Sequence, residues 1–166
     1  MNYIDHNILT IVTLLPATGA LLLIVFPRRD RDIRWIALGI SLDSLLASLH
    51  LPSHIDHGQA GFQFEQNSPW ISHPVIHYHL GIDGISLWLV VLTTFLTPLC
   101  VLISWKSVHD RVKEFFILML VLETAMIGVF MALDLFLFYF FWEATLIPMA
   151  LIIGIFGHGR RIYAAV

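Results

Sequence analysis

Charge is what this chain has least of. Only 13% of its 166 residues are Asp, Glu, Lys or Arg, against 58% hydrophobic, whereas charged residues make up about 25% of a typical soluble domain. That balance excludes an ordinary soluble fold. A net charge of −3, with no basic run interleaved with aromatics, argues against a nucleic-acid partner. There is one cysteine, Cys100, so neither an intrachain disulfide framework nor a thiolate metal cluster is available. The first apolar run is preceded by Asp5 and His6 and by no Lys or Arg. It therefore lacks the basic leader of a cleaved signal peptide and reads as a retained span. HExxH and GxSxG patterns are also missing, which leaves an intramembrane hydrolase without its chemistry.

What is present is a series of five apolar runs, at about 8–26, 33–51, 82–104, 115–133 and 135–156. Each is close to the ~20 residues that cross ~30 Å of hydrocarbon as a helix. The expectation is an all-α integral membrane protein, a single membrane domain over 1–166 with five transmembrane helices and one long external loop, 52–81. Ser41, Asp43, Ser44 and Ser48 interrupt the second run, and the distribution of basic residues requires it nonetheless. All nine Lys and Arg fall in three links: Arg28, Arg29, Arg31 and Arg34 after the first run, Lys106, Arg111 and Lys113 after the third, Arg160 and Arg161 after the fifth. By the positive-inside rule the N-terminus and the 52–81 loop lie outside and the basic links inside.

The chain is organised around Phe136–Pro148, FLFYFFWEATLIP. Six aromatics and one leucine lead into Glu143, and the apolar run then resumes to Phe156. A carboxylate within a span costs roughly 2.5–3.5 kcal/mol to insert, which marks Glu143 as a functional candidate. Pro148 removes the hydrogen bond to the carbonyl of Ala144, next to that glutamate, and is expected to loosen the helix there. Glu123 lies eleven residues before Asp134 and Glu143 nine after it. If Asp134 marks a tight outer turn, the two carboxylates differ in depth by only ~3 Å on neighbouring helices. Two carboxylates at one depth read as a proton or cation route; the alternative for each is a neutral hydrogen bond inside a helix bundle.

Other features have plainer readings. His50, His54, His57, His73, His77 and His79 cluster in and before the external loop, and imidazoles at short spacing are ready transition-metal ligands. No carboxylate or cysteine completes a zinc-type spacing, so no metal is assigned and a polar loop packed by Phe62, Phe64, Trp70 and Ile76 is expected. Asp83, between Gly81 and Gly84, is placed to cap the third helix. Thr93, Thr94 and Thr97, just before Pro98, are expected to bond back to carbonyls of the preceding turn.

In LGIDGIS (Leu80–Ser86), LTTFLTPL (Leu92–Leu99), GVFMALDLFLFYFFWEATLIPM (Gly128–Met149) and the closing GHGRRIYAAV, the chain resembles chain 4, the M subunit, of proton-translocating NADH:quinone oxidoreductase, respiratory complex I. FWEATLIPM with its upstream LD turn is the specific part. The resemblance implies three leading helices plus the first two helices of an antiporter-like inverted repeat, and so an N-terminal fragment of a larger subunit. It implies proton transfer through Glu143, paired with a lysine two helices later, with Glu123 as the family's fourth-span glutamate and a secondary proton-holding group. Lys106 and Lys113 belong to an inner link, so the pairing lysine is not among these residues. The implied setting is a bacterial inner membrane, with other membrane-arm subunits and the lipid bilayer as partners. No motif for NADH, flavin, iron–sulfur cluster or quinone is found, so no cofactor is expected in this chain and redox chemistry falls to partner subunits. Alternatives of other kinds are an antiporter or membrane-bound hydrogenase subunit of the same superfamily, and a structural scaffold subunit.

Overall fold

The computed structural model of the chain describes residues 3–25, 29–56, 61–71, 73 and 76–157. Five helices long and apolar enough to cross a membrane run as α1 (Tyr3–Val25), α2 (Asp30–His54), α3 (Gly84–Ser104), α4 (Val112–Met131) and α5 (Leu135–Phe156). The second span begins three residues earlier and ends three later than its apolar run, because Asp30 and Asp32 lie in its first turn, where carboxylates favour the helix dipole. Prolines 16, 52, 98 and 148 all lie inside helices. None of them ends its helix, so the loosening expected at Pro148 does not break α5.

The segment between α2 and α3 differs from the expected polar loop. It holds an antiparallel hairpin of β1 (Gln63–Ile71) and β2 (Ile76–Ile82), paired from Gln63↔Ile82 to Ile71↔Ile76. The register shifts between Gln63 and Gln66, where Phe64 takes a left-handed φ of 54°, the backbone signature of a bulge. Ile76 is buried and Phe64 packs on the core, whereas Phe62 and Trp70 are exposed.

The hairpin is fastened to the bundle by its backbone. The Leu133 N–H donates to the His79 carbonyl at 2.9 Å, Leu80 bridges to Ala132, and the His77 N–H reaches Asp134 Oδ2 at 3.3 Å. A Cβ on Gly81 would meet Leu133 Cδ1 at 2.6 Å, so any larger residue there would have to displace the end of the Leu133 side chain. The LGID and ALD blocks, fifty residues apart in sequence, are thus one contact in space. Two aspartates cap the helices that start there. Asp83 accepts from the Ile85 and Ser86 N–H groups while Ser86 Oγ accepts from the Asp83 N–H, a complete capping box. Asp134 accepts from the Phe136 and Leu137 N–H groups. Hydrogen bonds from Ser86 to Asp83 and from Leu137 to Asp134 hold both carboxyls below the usual carboxylate range.

At the other end of the bundle the basic links meet. Arg34 donates to the Val108 carbonyl at 2.9 Å and Lys113 Nζ to the Ile24 carbonyl at 2.8 Å. Arg28, Arg160, Arg161 and His57 lie outside the described residues.

α4 is the hub and touches the other four helices. The interior is layered. Towards the hairpin lies an apolar cluster that includes Leu9, Val12, Leu51, Leu80, Val90, Ile127 and Phe141; towards the basic end lies a second, with Leu23, Ala37, Val101, Phe116 and Leu120. Between them α2, α3 and α4 contribute Ser41, Ser44, Ser48, Thr93, Thr94, Thr97 and Glu123, all buried.

Candidate functional site

The polar layer follows from helical spacing. Ser41, Ser44 and Ser48 are three and four residues apart, so they share one face of α2. Thr93, Thr94 and Thr97 do the same on α3. Most of these hydroxyls bond back along their own helices as expected: Thr93 donates to the Leu89 carbonyl at 2.8 Å, Thr94 to that of Val91 at 3.0 Å and Thr97 to that of Thr93 at 3.1 Å. One link crosses between helices, Ser48 Oγ to Thr94 Oγ1 at 2.6 Å. Because α2 and α3 run antiparallel, Ser44, one turn back from Ser48, comes level with Thr97, one turn on from Thr94.

Glu123 sits in this layer with no exposed surface. Thr97 is the polar side chain that faces it, but the Thr97 hydroxyl is directed to the Thr93 carbonyl. Neither carboxyl oxygen of Glu123 therefore has a hydrogen bond of ordinary geometry, and Ser44 Oγ nearby has none either. The two apolar clusters close the layer above and below.

Glu143 stands in the opposite situation. Nine of the 20 residues of α4 are buried, but only Leu137, Phe141 and Pro148 of the 22 in α5. Those three point α5 at the bundle; Glu143 lies on the outward face and is exposed, next to exposed Trp142 and Tyr139. Tyr139, one turn earlier, is the residue that interacts with it. Beside Glu143 a groove of about 310 Å³ runs between α4 and α5, walled by Met126, Val129, Phe130, Trp142, Leu146 and Met149. The close approach of the two helices depends on Gly128, where a Cβ would meet the Phe141 ring at 2.4 Å. The glutamates, matched in depth by sequence, are thus held on adjoining helices but not brought face to face.

Four of the described histidines have other neighbours. His77 Nδ1 pairs with Asn67 Oδ1 at 2.8 Å, His79 Nε2 with Glu65 Oε2 at 3.3 Å, and His50 stacks on His54 at 4.0 Å. Among the described residues no three His, Cys, Asp or Glu side chains come together in a metal-binding group. Residues that the sequence did not single out include Gly128, Phe141 and Leu133, whose packing sets the site. The three-and-four spacing of the α2 serines was a visible signal of a buried polar face.

Five apolar helices around a polar middle layer, with one carboxylate sealed in it and another on an open helix face, define an integral membrane protein with carboxylates within its spans. The comparisons narrow the class. Residues 61–129 match the family described as NADH-ubiquinone oxidoreductase chain 4, amino terminus. The chain is 50% identical over 165 residues to NADH-quinone oxidoreductase subunit M of Rhodobacter capsulatus, covering 96% of this chain and 32% of that protein. It is 46% identical over 149 residues to NADH-ubiquinone oxidoreductase chain 4 of Arabidopsis thaliana, covering 89% and 30%. Its fold superimposes with a TM-score of 0.78 and 26% identity on a chain of respiratory complex I from Thermus thermophilus, covering 95% of this chain and 31% of that one. The chain belongs to the chain 4, or subunit M, family of NADH:quinone oxidoreductase. It spans about a third of the length of the curated relatives it matches.

Proposed function

We propose that this chain forms the amino-terminal part of a proton-translocating membrane-arm subunit of NADH:quinone oxidoreductase, and that Glu143 is its proton-transfer carboxyl. The observation that carries the reading is the position of Glu143, in the middle of a span and on the uncovered face of α5. A carboxyl in hydrocarbon favours its neutral form, and an ammonium brought close favours the ionised form. A lysine that approaches and withdraws therefore unloads and reloads the same carboxyl. Lys113, in the first turn of α4, is bonded to the Ile24 carbonyl at the basic end and Lys106 lies in the link before α4, so the partner lysine belongs to the remainder of the subunit. Glu123 is a secondary, proton-holding group in the sealed layer, and the oxidation of NADH and reduction of quinone belong to other subunits. Gathering of the basic links at the end away from the hairpin supports an orientation with the N-terminus and hairpin outside. The Rhodobacter relative supports a bacterial inner membrane as the location.

The test is Glu143→Gln in the intact parent complex, with proton uptake and NADH:quinone turnover followed together. Loss of proton uptake by an assembled complex is expected. Normal uptake would return Glu143 to a packing role.

A further inference from the structure

The polar layer between α2, α3 and α4 is rich in acceptors and poor in donors. A hydroxyl has one hydrogen to give and two lone pairs to receive with, and most hydrogens in the layer are already given. Ser41 donates to the Leu38 carbonyl at 2.9 Å, Thr93 to that of Leu89 at 2.8 Å and Thr97 to that of Thr93 at 3.1 Å. Ser48 and Thr94 share one hydrogen bond at 2.6 Å and have backbone carbonyls for the other hydrogen. What remains in the layer is the Ser44 hydroxyl and the two Glu123 oxygens, on residues with no exposed surface.

A proton on Glu123 adds one donor and leaves its second oxygen and the lone pairs of Thr97 unfilled. One water molecule brings two donors and two acceptors. A buried water typically makes about three hydrogen bonds to groups of this kind, and three side chains come to one level here: Glu123 from α4, Ser44 from α2 and Thr97 from α3, helices that all touch one another. We propose that the layer is a water-binding site, in which one bound water joins the Glu123 carboxyl to Ser44 and Thr97, ties the three helices together and shares the proton of Glu123. This deepens the reading of Glu123 as a proton-holding group and rests on it.

Water suits the layer better than a metal cation. Neither lysine nor arginine occurs in α3, in α2 after Arg34 or in α4 after Lys113, so no fixed counter-charge on these helices favours an ionised Glu123. An ion would have to pass the apolar clusters that close the layer and give up its hydration on the way, whereas water is neutral. Nor does the water tie Glu123 irreplaceably to the fold. In Glu123→Met it leaves with the carboxyl it serves, and Ser44 turns to a carbonyl of its own preceding turn, as Ser41 and Ser48 already do.

The test is electron cryo-microscopy of the intact parent complex at a resolution that shows ordered water, once in sodium chloride and once in sodium-free choline chloride. A density peak within hydrogen-bond distance of Glu123 and of Ser44 or Thr97, equal in both salts, is expected. No peak, or a peak present only with sodium, overturns the proposal. Ser44→Val puts a methyl group in place of the hydroxyl. It is expected to abolish the peak and to shift the infrared carbonyl band of the protonated Glu123 carboxyl, assigned by its loss in Glu123→Gln, to higher frequency. An unshifted band overturns the shared proton. If Ser44→Val does not assemble, the two maps of the unaltered complex still decide. A carboxyl band without a water peak overturns the water and leaves Glu123 as a proton holder; a water peak without the band does the reverse.

Discussion

Glu123 and Glu143 lie at nearly the same depth on adjoining helices, and their surroundings are opposite. Glu123 is enclosed, with Thr97 facing it and apolar clusters on both sides. Glu143 stands on the outward face of a helix that buries only three of its residues. Depth alone therefore does not assign a role. A carboxyl that must exchange a proton has to be approachable by the group that delivers or expels it. On that criterion the exposure of Glu143 suits the proton-transfer role proposed for it, whereas Glu123 is a polar side chain enclosed within the bundle.

The comparison breaks most completely if the two helices are pushed apart. Gly128→Leu places a side chain where even a Cβ would overlap the Phe141 ring. Overpacking of this kind costs about 1–3 kcal/mol or more, and the variant is expected to fail to assemble, as read on a native gel. Gly128→Ala should show the same defect in weaker form.

A smaller effect sharpens the contrast. Since neither oxygen of Glu123 has a well-formed hydrogen bond, replacing it with methionine removes an unsatisfied buried carboxyl and keeps the volume. Leaving a buried polar group unsatisfied costs about 1–3 kcal/mol, so Glu123→Met should leave thermal stability of the complex unchanged or raised. A large loss of stability would mean that Glu123 is tied into a network.

The caps that position α3 and α5 give a pH-dependent test. Asp83 and Asp134 have folded-state pKa values below the ordinary one. The unfolded value for aspartate is about 3.9. Their contribution to stability is therefore fully present above that pH and is lost as pH falls below it through the folded values. Hydrogen exchange of the Ile85, Ser86, Phe136 and Leu137 amides should rise in that acid range, after correction for intrinsic rates, and Asp134→Asn should flatten the change for Phe136 and Leu137. The smallest effect belongs to Ser48→Ala, which removes the 2.6 Å link to Thr94. Interhelical hydrogen bonds in membranes average about 0.6 kcal/mol, so the thermal midpoint should move only slightly.

The spans were legible in the sequence because hydrocarbon admits few solutions: an apolar run of the right length becomes a helix, and the five runs became α1 to α5. Caps at Asp83 and Asp134 were legible for a similarly local reason, since a short carboxylate before a helix bonds the nearest free amides. The hairpin was not. Residues 63–82 mix three histidines, asparagine, serine and two prolines among few β-branched residues, so no alternation stands out. The pairing is stabilised from outside, by Leu133, Ala132 and Asp134. The opposite exposure of the two glutamates was also hidden. Apolar residues surround both in sequence, and in a membrane helix the lipid-facing and core-facing sides are equally hydrophobic, so periodicity does not report which way a residue points. Only packing at Gly128 and Phe141 fixes that.

Carbodiimide labelling separates the two glutamates most directly. A membrane-soluble carbodiimide reacts with carboxyl groups it reaches through hydrocarbon. In the intact complex, peptide mapping is predicted to find Glu143 modified, with proton uptake lost in step, while Glu123 stays unmodified. Modification of Glu123 at an equal or faster rate would contradict the sealed layer and the division of roles drawn from it.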